Sequence, residues 1–173
     1  MTSRTTVQRI PWEDGVLTLR PETPDDLQFR FNLFIRSRPP EWDQVVLPLE
    51  QLTQVMNHQF WAQTETYLAR FPEARFDIIE LDGEPIGRIV VNRPGDRIHL
   101  VDQAIAPHLR GRGLGTAIMR ALMAEAEAGG LFMTLKVSNA NDPSMRLYSR
   151  LGFEVLGESI EYIEMTWRGA PPR

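Results

Sequence analysis

The run Gln103-Ala-Ile-Ala-Pro-His-Leu-Arg-Gly-Arg-Gly-Leu-Gly-Thr116 constrains the fold of this chain more than any other stretch. A strand pattern stops at Pro107, a basic glycine loop follows, and helix-forming residues begin at Leu114. Glycine permits positive φ angles and close approach of a ligand to the backbone. A helix start leaves its first N–H groups without intrahelical partners, and the helix dipole is positive there. A phosphate suits such a position. Arg110 and Arg112 lie in this loop although the chain carries a net charge of −4, a local reversal of sign that points to an anionic ligand. An ordinary strand–helix turn is the competing reading of the loop by itself. A nucleotide P-loop would need a Lys-Ser/Thr pair after its last glycine, and the dinucleotide fingerprint would need glycine at position 116, where Thr116 stands.

At 173 residues the chain suits one domain with a single substantial core. Its 42% apolar and 24% charged residues are those of an ordinary soluble globule. No apolar run reaches the length of a membrane span, and Met1-Thr-Ser-Arg-Thr-Thr has no signal-peptide core, so the cytoplasm is the expected compartment. The absence of cysteine excludes a disulfide framework, a cysteine-ligated zinc and a thiol nucleophile. No metal site is expected. Mild acidity argues against general nucleic-acid binding.

Taken in order, residues 1–14 carry little signal. Val16–Arg20 reads as a strand. Thr23, Pro24, Asp25 and Asp26 suit a helix start by capping, ring geometry and dipole. Leu27, Phe31, Phe34 and Ile35 then share a helical face, and Pro39-Pro40 ends that helix. Between Pro39 and Pro72, Trp42 and its apolar neighbours precede Leu52, Met56, Phe60, Tyr67 and Phe71 at helical spacing. That helix either covers the sheet, walls an acceptor site, or makes a subunit contact in a homodimer. His58 on it reads as a surface residue. Arg75–Leu81 and Glu84–Asn92 form a hairpin about Asp82-Gly83, and Arg97–Ala106 follows as the third strand of a meander. The alternation of that strand slips after Leu100, which predicts a β-bulge. A helix over Leu114–Ala128, closed by Gly129-Gly130, leads to a strand over Phe132–Ser138. Strand, helix, strand across the loop predicts a parallel βαβ crossover. Asp142 and Pro143 start a short helix that Gly152 ends. Strands over Glu154–Gly157 and Ile160–Trp167 follow, and Gly169–Arg173 is expected to fray.

Arg110-x-x-Gly113-x-Gly115 resembles the coenzyme A loop of the GCN5-related N-acetyltransferases (GNAT). Asn141-x-x-Ser144-x-x-Leu147-Tyr148-x-x-x-Gly152-Phe153 resembles the second signature of that family, with Ser144 where alanine is usual. The likeness runs from about Leu17 to Trp167 and is loosest between Pro39 and Pro72. It implies an α/β fold of α+β type: a mixed, mostly antiparallel central sheet with one parallel crossover and flanking helices. It implies acetyl-CoA as cofactor and direct acyl transfer to an amine acceptor of unknown identity. The pyrophosphate would lie on the N–H groups from Arg112 through Gly113, Leu114 and Gly115 to Thr116, with Gly111 in the loop and Arg110 adding charge. The pantetheine arm would follow the bulged strand near Ala104, Ile105 and Ala106, with Asn141, Ser144 and Tyr148 also against the cofactor. Tyr148 occupies the position of the acid that protonates the leaving thiolate.

Removing a proton from the amine requires a base or a water chain. His99 and Asp102 on the bulged strand are the candidates, the first by its ordinary pKa and the second if burial raises its own. A strand N–H near Ile105 could meet the developing oxyanion. Other acyl-CoA donors, a hydroxyl acceptor, or a non-catalytic acyl-CoA sensor are the competing functions at this level.

Overall fold

A computed structural model describes residues 5–38 and 40–169. Pro39, the first residue of the expected helix stop, lies outside the described residues. So do residues 1–4 and the tail from 170 to 173. The strands are β1 (Gln8–Ile10), β2 (Leu17–Pro21), β3 (Arg75–Leu81), β4 (Glu84–Asn92), β5 (Arg97–Ile105), β6 (Phe132–Ser138), β7 (Glu154–Glu158) and β8 (Tyr162–Trp167). They form one sheet in the order β1-β2-β3-β4-β5-β6-β8-β7. Only β5 and β6 run parallel; every other neighbouring pair is antiparallel. The helices are α1 (Leu27–Arg36), α2 (Leu49–Arg70), α3 (Leu114–Ala128) and α4 (Asp142–Arg150). The expected mixed sheet with a parallel β5–α3–β6 crossover is therefore present.

Local chemistry explains most of these elements. Asp82 and Gly83 both have positive φ, 51° and 82°, as a tight β3–β4 hairpin requires. Asp82 also accepts a 2.8 Å hydrogen bond from the Val16 N–H, tying the turn to the neighbouring strand. Alternation along β3, β4 and β5 sends Ile79, Ile89, Val91, Ile98 and Leu100 to one face, where they meet Leu114, Ile118, Met119 and Leu122 of α3. That face is the main core. The opposite face lies under α1 and α2, where Phe60 meets the rings of Phe31 and Phe34 edge-on at 5.4 and 5.7 Å.

Three expectations shift. Residues Gln8–Ile10, read as featureless, add a short edge strand whose Ile10 is buried. The side chain of α1 that is fully buried is Leu33, while Leu27 is exposed and Phe31 and Phe34 turn to α2. The cap of α4 is Asn141 rather than Asp142: the Asn141 side chain accepts from the Ser144 N–H at 3.3 Å, one residue upstream of the proline-based reading.

One glycine holds the sheet at its working separation. A Cβ on Gly87 of β4 would land inside contact distance of the Ala104 carbonyl oxygen and 3.2 Å from the Ile105 Cα. Gly87→Ala must therefore push β4 from β5. We expect a loss of about 1–3 kcal/mol in urea unfolding, the usual scale for forcing atoms into a packed site. Unchanged stability would show that the strands yield there.

Candidate active site

The bulge lies where the alternation slips. Val90 of β4 faces Asp102 of β5, but Val91 faces Leu100, so Val101 is the extra residue. Pairing of β5 with β6 runs only from Arg97 to Leu100. Beyond it β6 continues alongside β8 alone, and a gap opens between Val101–Ile105 and Lys136–Ser138. The gap holds a groove of about 340 Å³ whose lining includes Tyr67, His99, Asp102, Asn141, Ser144 and Tyr148.

Backbone direction along β5 decides what the gap is offered. The Ala106 N–H donates to the Ile86 carbonyl at 2.7 Å. Alternation then turns the backbone groups of Ala104 toward β4 and those of Gln103 and Ile105 toward the gap, while the Ala106 carbonyl is taken by the Leu109 N–H at 2.9 Å. Of the three residues expected to offer backbone groups, Ile105 is thus the one that can. Its carbonyl accepts from Arg110 Nε at 3.1 Å. Arg110, expected to add charge to an anion site, spends that donor on closing the loop against β5. Its Nη2 reaches the Ser37 hydroxyl at 3.4 Å. Arg112 is exposed.

The loop enters α3 through Gly113, at φ 83°, after Gly111 at φ 77°. No side chain caps the helix, so the N–H groups of Leu114, Gly115 and Thr116 begin it without the partner that Asn141 gives α4. Nothing lies within 4 Å of a Cβ placed on Gly111. On Gly115 a Cβ would meet Gln103 and Ile105 at 3.4 and 3.6 Å, ordinary contact. Packing inside the protein therefore does not require glycine at 115.

Tyr148 is placed by the end of its helix. Phe153 N–H donates to the Tyr148 carbonyl at 3.0 Å and Gly152 N–H to that of Ser149 at 3.1 Å. Gly152 adopts φ 95°. These are the two bonds of a Schellman motif. The Tyr148 ring lies 5.8 Å from that of Phe153 and faces the groove. Among the described residues its hydroxyl has no hydrogen-bond partner. Burial, and then the nearby charge of Asp102, push its pKa up to about 12.

Asp102 and His99 share the face of β5 that looks toward α2, but their surroundings differ. Burial raises the Asp102 carboxyl above the usual range, opposed by Arg88 and by a hydrogen bond from the Gln103 N–H. His99 is lowered by burial and then by Arg97, Lys136 and Arg70. Its Nδ1 lies 2.8 Å from the Thr134 hydroxyl and its ring 5.5 Å from Phe71. A raised carboxylate is a stronger base, whereas a lowered imidazole is a weaker one.

Asp102 also borders a second cavity of about 430 Å³ between α1, α2 and the sheet, lined by Trp42, Gln63, Arg30 and Arg88 among others. The two cavities share Asp102 and Tyr162. The 39–72 segment thus walls both, through Trp42 on one side and Tyr67 on the other. His58 is exposed and away from either lining. Arg30, Arg88 and Glu22 went unread in the sequence. The signal available was Arg88 itself, a lone charge inside the apolar run from Ile86 to Val91.

Among the described residues no cluster of side chains could hold a metal ion, and no helix is long and apolar enough to cross a membrane.

Comparison with known proteins agrees with this fold. The chain is 27% identical to N-alpha-acetyltransferase 20 of Dictyostelium discoideum over 120 residues, 66% of this chain and 68% of that protein. It is 33% identical to streptothricin acetyltransferase of Streptomyces lavendulae over 85 residues, 47% of this chain and 45% of the relative. It therefore spans about two thirds of the first relative and under half of the second. In fold it is similar to PaiA N-acetyltransferase from Thermoplasma acidophilum, solved with coenzyme A, at a TM-score of 0.64 and 16% identity, covering 88% and 99% of the two chains. The sequence model described as the acetyltransferase (GNAT) family matches residues 31–153. A match across most of the chain, with both signatures in their expected places, makes this protein a member of the GNAT family of acetyltransferases.

Proposed function

We propose that the chain works as one acetyltransferase domain that moves an acetyl group from acetyl-CoA directly to a primary amine. The observation that carries this reading is the opening of β5 from β6 after Leu100, with Asp102 and Tyr148 on one groove and an uncapped helix start near it. Coenzyme A in the fold relative supports the cofactor.

The uncapped N–H groups of Leu114, Gly115 and Thr116 suit a pyrophosphate, and the open space over Gly111 leaves it room. When bound, the cofactor supplies an acetyl thioester. Asp102 accepts the proton that an ammonium must lose before its nitrogen can attack. The Ile105 N–H, turned to the gap, can donate to the oxygen on which charge develops. As the new C–N bond forms and the C–S bond breaks, Tyr148 gives its proton to the departing sulfur. The nitrogen sheds its second proton as the amide forms, and that proton restores the tyrosine through water, while Asp102 releases the first to solvent.

Gly115→Val tests the cofactor site cleanly, because its first carbon meets only ordinary contacts. Gly113→Val does not, since φ 83° already strains a branched side chain. We expect Gly115→Val to melt within a few degrees of wild type and to lose about 10-fold or more in CoA affinity by calorimetry, given the close backbone approach a phosphate needs. Wild-type affinity in the folded variant would remove the loop from the site. The function itself is tested by thiol release from acetyl-CoA over a panel of amines, with the N-acetylated product identified by mass. Tight CoA binding without turnover on any amine would favour a sensor.

A further inference from the structure

The cavity on the α1–α2 side of Asp102 has an uneven charge. Three arginines, Arg30, Arg38 and Arg88, line it, and Asp102 is the one acid of that lining; Arg38 is already paired with Asp43 at 3.1 Å, which leaves Arg30 and Arg88 as the inner pair. We propose that the acceptor amine carries a carboxylate, bound by Arg30 and Arg88 while the amine lies at Asp102; this rests on the acetyl-transfer reading above.

Glu22 alone stands between the two inner guanidinium groups. Arg88 takes both of its carboxylate oxygens, through Nε at 2.9 Å and Nη2 at 3.2 Å. Arg30 Nε is left 3.6 Å from the nearer oxygen, beyond hydrogen-bond reach, and is buried without a hydrogen-bond partner. The Arg30 side chain is only 10% exposed, and among the described residues its one donated hydrogen bond is from Nη2 to the Thr64 hydroxyl at 3.3 Å. A buried donor left unmade costs more than a made bond returns, so this guanidinium favours an incoming acceptor oxygen. Its plane is held over Phe60 at 5.5 Å, and that of Arg88 over Phe76 at 5.3 Å. Fixed, planar forks suit carboxylate better than a mobile lysine would.

Register supplies the spacing. Val90 pairs with Asp102 and Arg88 with Ala104, so Arg88 and Asp102 project from one face about two residues apart, roughly 7 Å. Amine and carboxylate therefore belong to one small amino acid, or to the first residues of a peptide with an acidic side chain. Cationic diamines should be poor acceptors, since the cavity would set guanidinium against their second charge.

Matched pairs separate these cases: γ-aminobutyrate against γ-aminobutyramide, and a Ser-Glu peptide amide against its Ser-Gln counterpart. Each is titrated into the CoA-bound protein by calorimetry and assayed for thiol release with acetyl-CoA. We expect the carboxylate member of at least one pair to bind about 10-fold or more tightly, the scale of one charge-assisted contact. The pair that shows it identifies the source. In Arg30→Gln the preference should fall to about threefold or less; Arg30→Lys, which keeps the charge without the fork, serves if glutamine unfolds the protein. Equal or tighter binding of both carboxamides, or no binding by any of the four, overturns the proposal. Selective carboxylate binding without thiol release would instead retire the transfer reading and leave the anion subsite standing. Turnover of amides and diamines as fast as carboxylates would do the reverse.

Discussion

Asp102→Asn is expected to lower kcat on the order of 10²–10³-fold, the range for losing a general base, and to stabilise the fold at neutral pH. Both effects come from one placement. Burial raises the folded carboxyl above its unfolded value of about 3.8. Its contribution to stability is then full below the unfolded value and is lost as pH rises through the folded one. Asparagine cannot ionise and escapes that loss. The melting temperature of the variant should exceed that of wild type near pH 7, with the difference shrinking as the solution is acidified. In wild type the acid limb of kcat/KM should lie above the ordinary carboxylate range, and in the variant that limb should vanish. His99→Gln should leave the limb in place, because burial and neighbouring cations lower that imidazole. A normal rate in Asp102→Asn, or loss of the limb in His99→Gln instead, would move the base elsewhere.

Tyr148→Phe removes one oxygen and keeps the ring that packs beside Phe153. The variant should melt and bind CoA as wild type does, with kcat reduced on the order of 10²-fold. The loss should fall equally on kcat and kcat/KM, as for an interaction made mainly in the transition state. A general acid fails when it loses its proton, and burial pushes the Tyr148 hydroxyl up to about 12. The wild-type profile should therefore show no alkaline limb to about pH 10 from this group. An unchanged kcat, where chemistry limits the rate, would leave Tyr148 as a packing residue and water as the proton donor.

The parts of the site legible in the sequence are those fixed by local rules. Alternation along Arg97–Ala106 slips at one residue, and Val101 is the bulge that opens the sheet. Gly113 is the left-handed residue before α3, and Gly152 the one after α4. Ambiguity began where partners are distant in the chain. His99 and Asp102 look equivalent in sequence, and only burial and neighbours push them apart, one weakened and one strengthened as a base. Glu22, Arg30 and Arg88 come from a loop, a helix and a strand, and no spacing rule joins them. The edge strand Gln8–Ile10 was missed because three residues are too few for a period to show. Asn141 displaced Asp142 as the cap because its side chain reaches the Ser144 N–H.

A crystal structure with coenzyme A bound tests most directly whether this groove is where transfer occurs. The sulfur should lie in the gap between β5 and β6, within hydrogen-bond reach of the Tyr148 hydroxyl, with the pyrophosphate on the N–H groups of Leu114 to Thr116. A pyrophosphate elsewhere, or a sulfur on the far side of β5 from Tyr148, would contradict it.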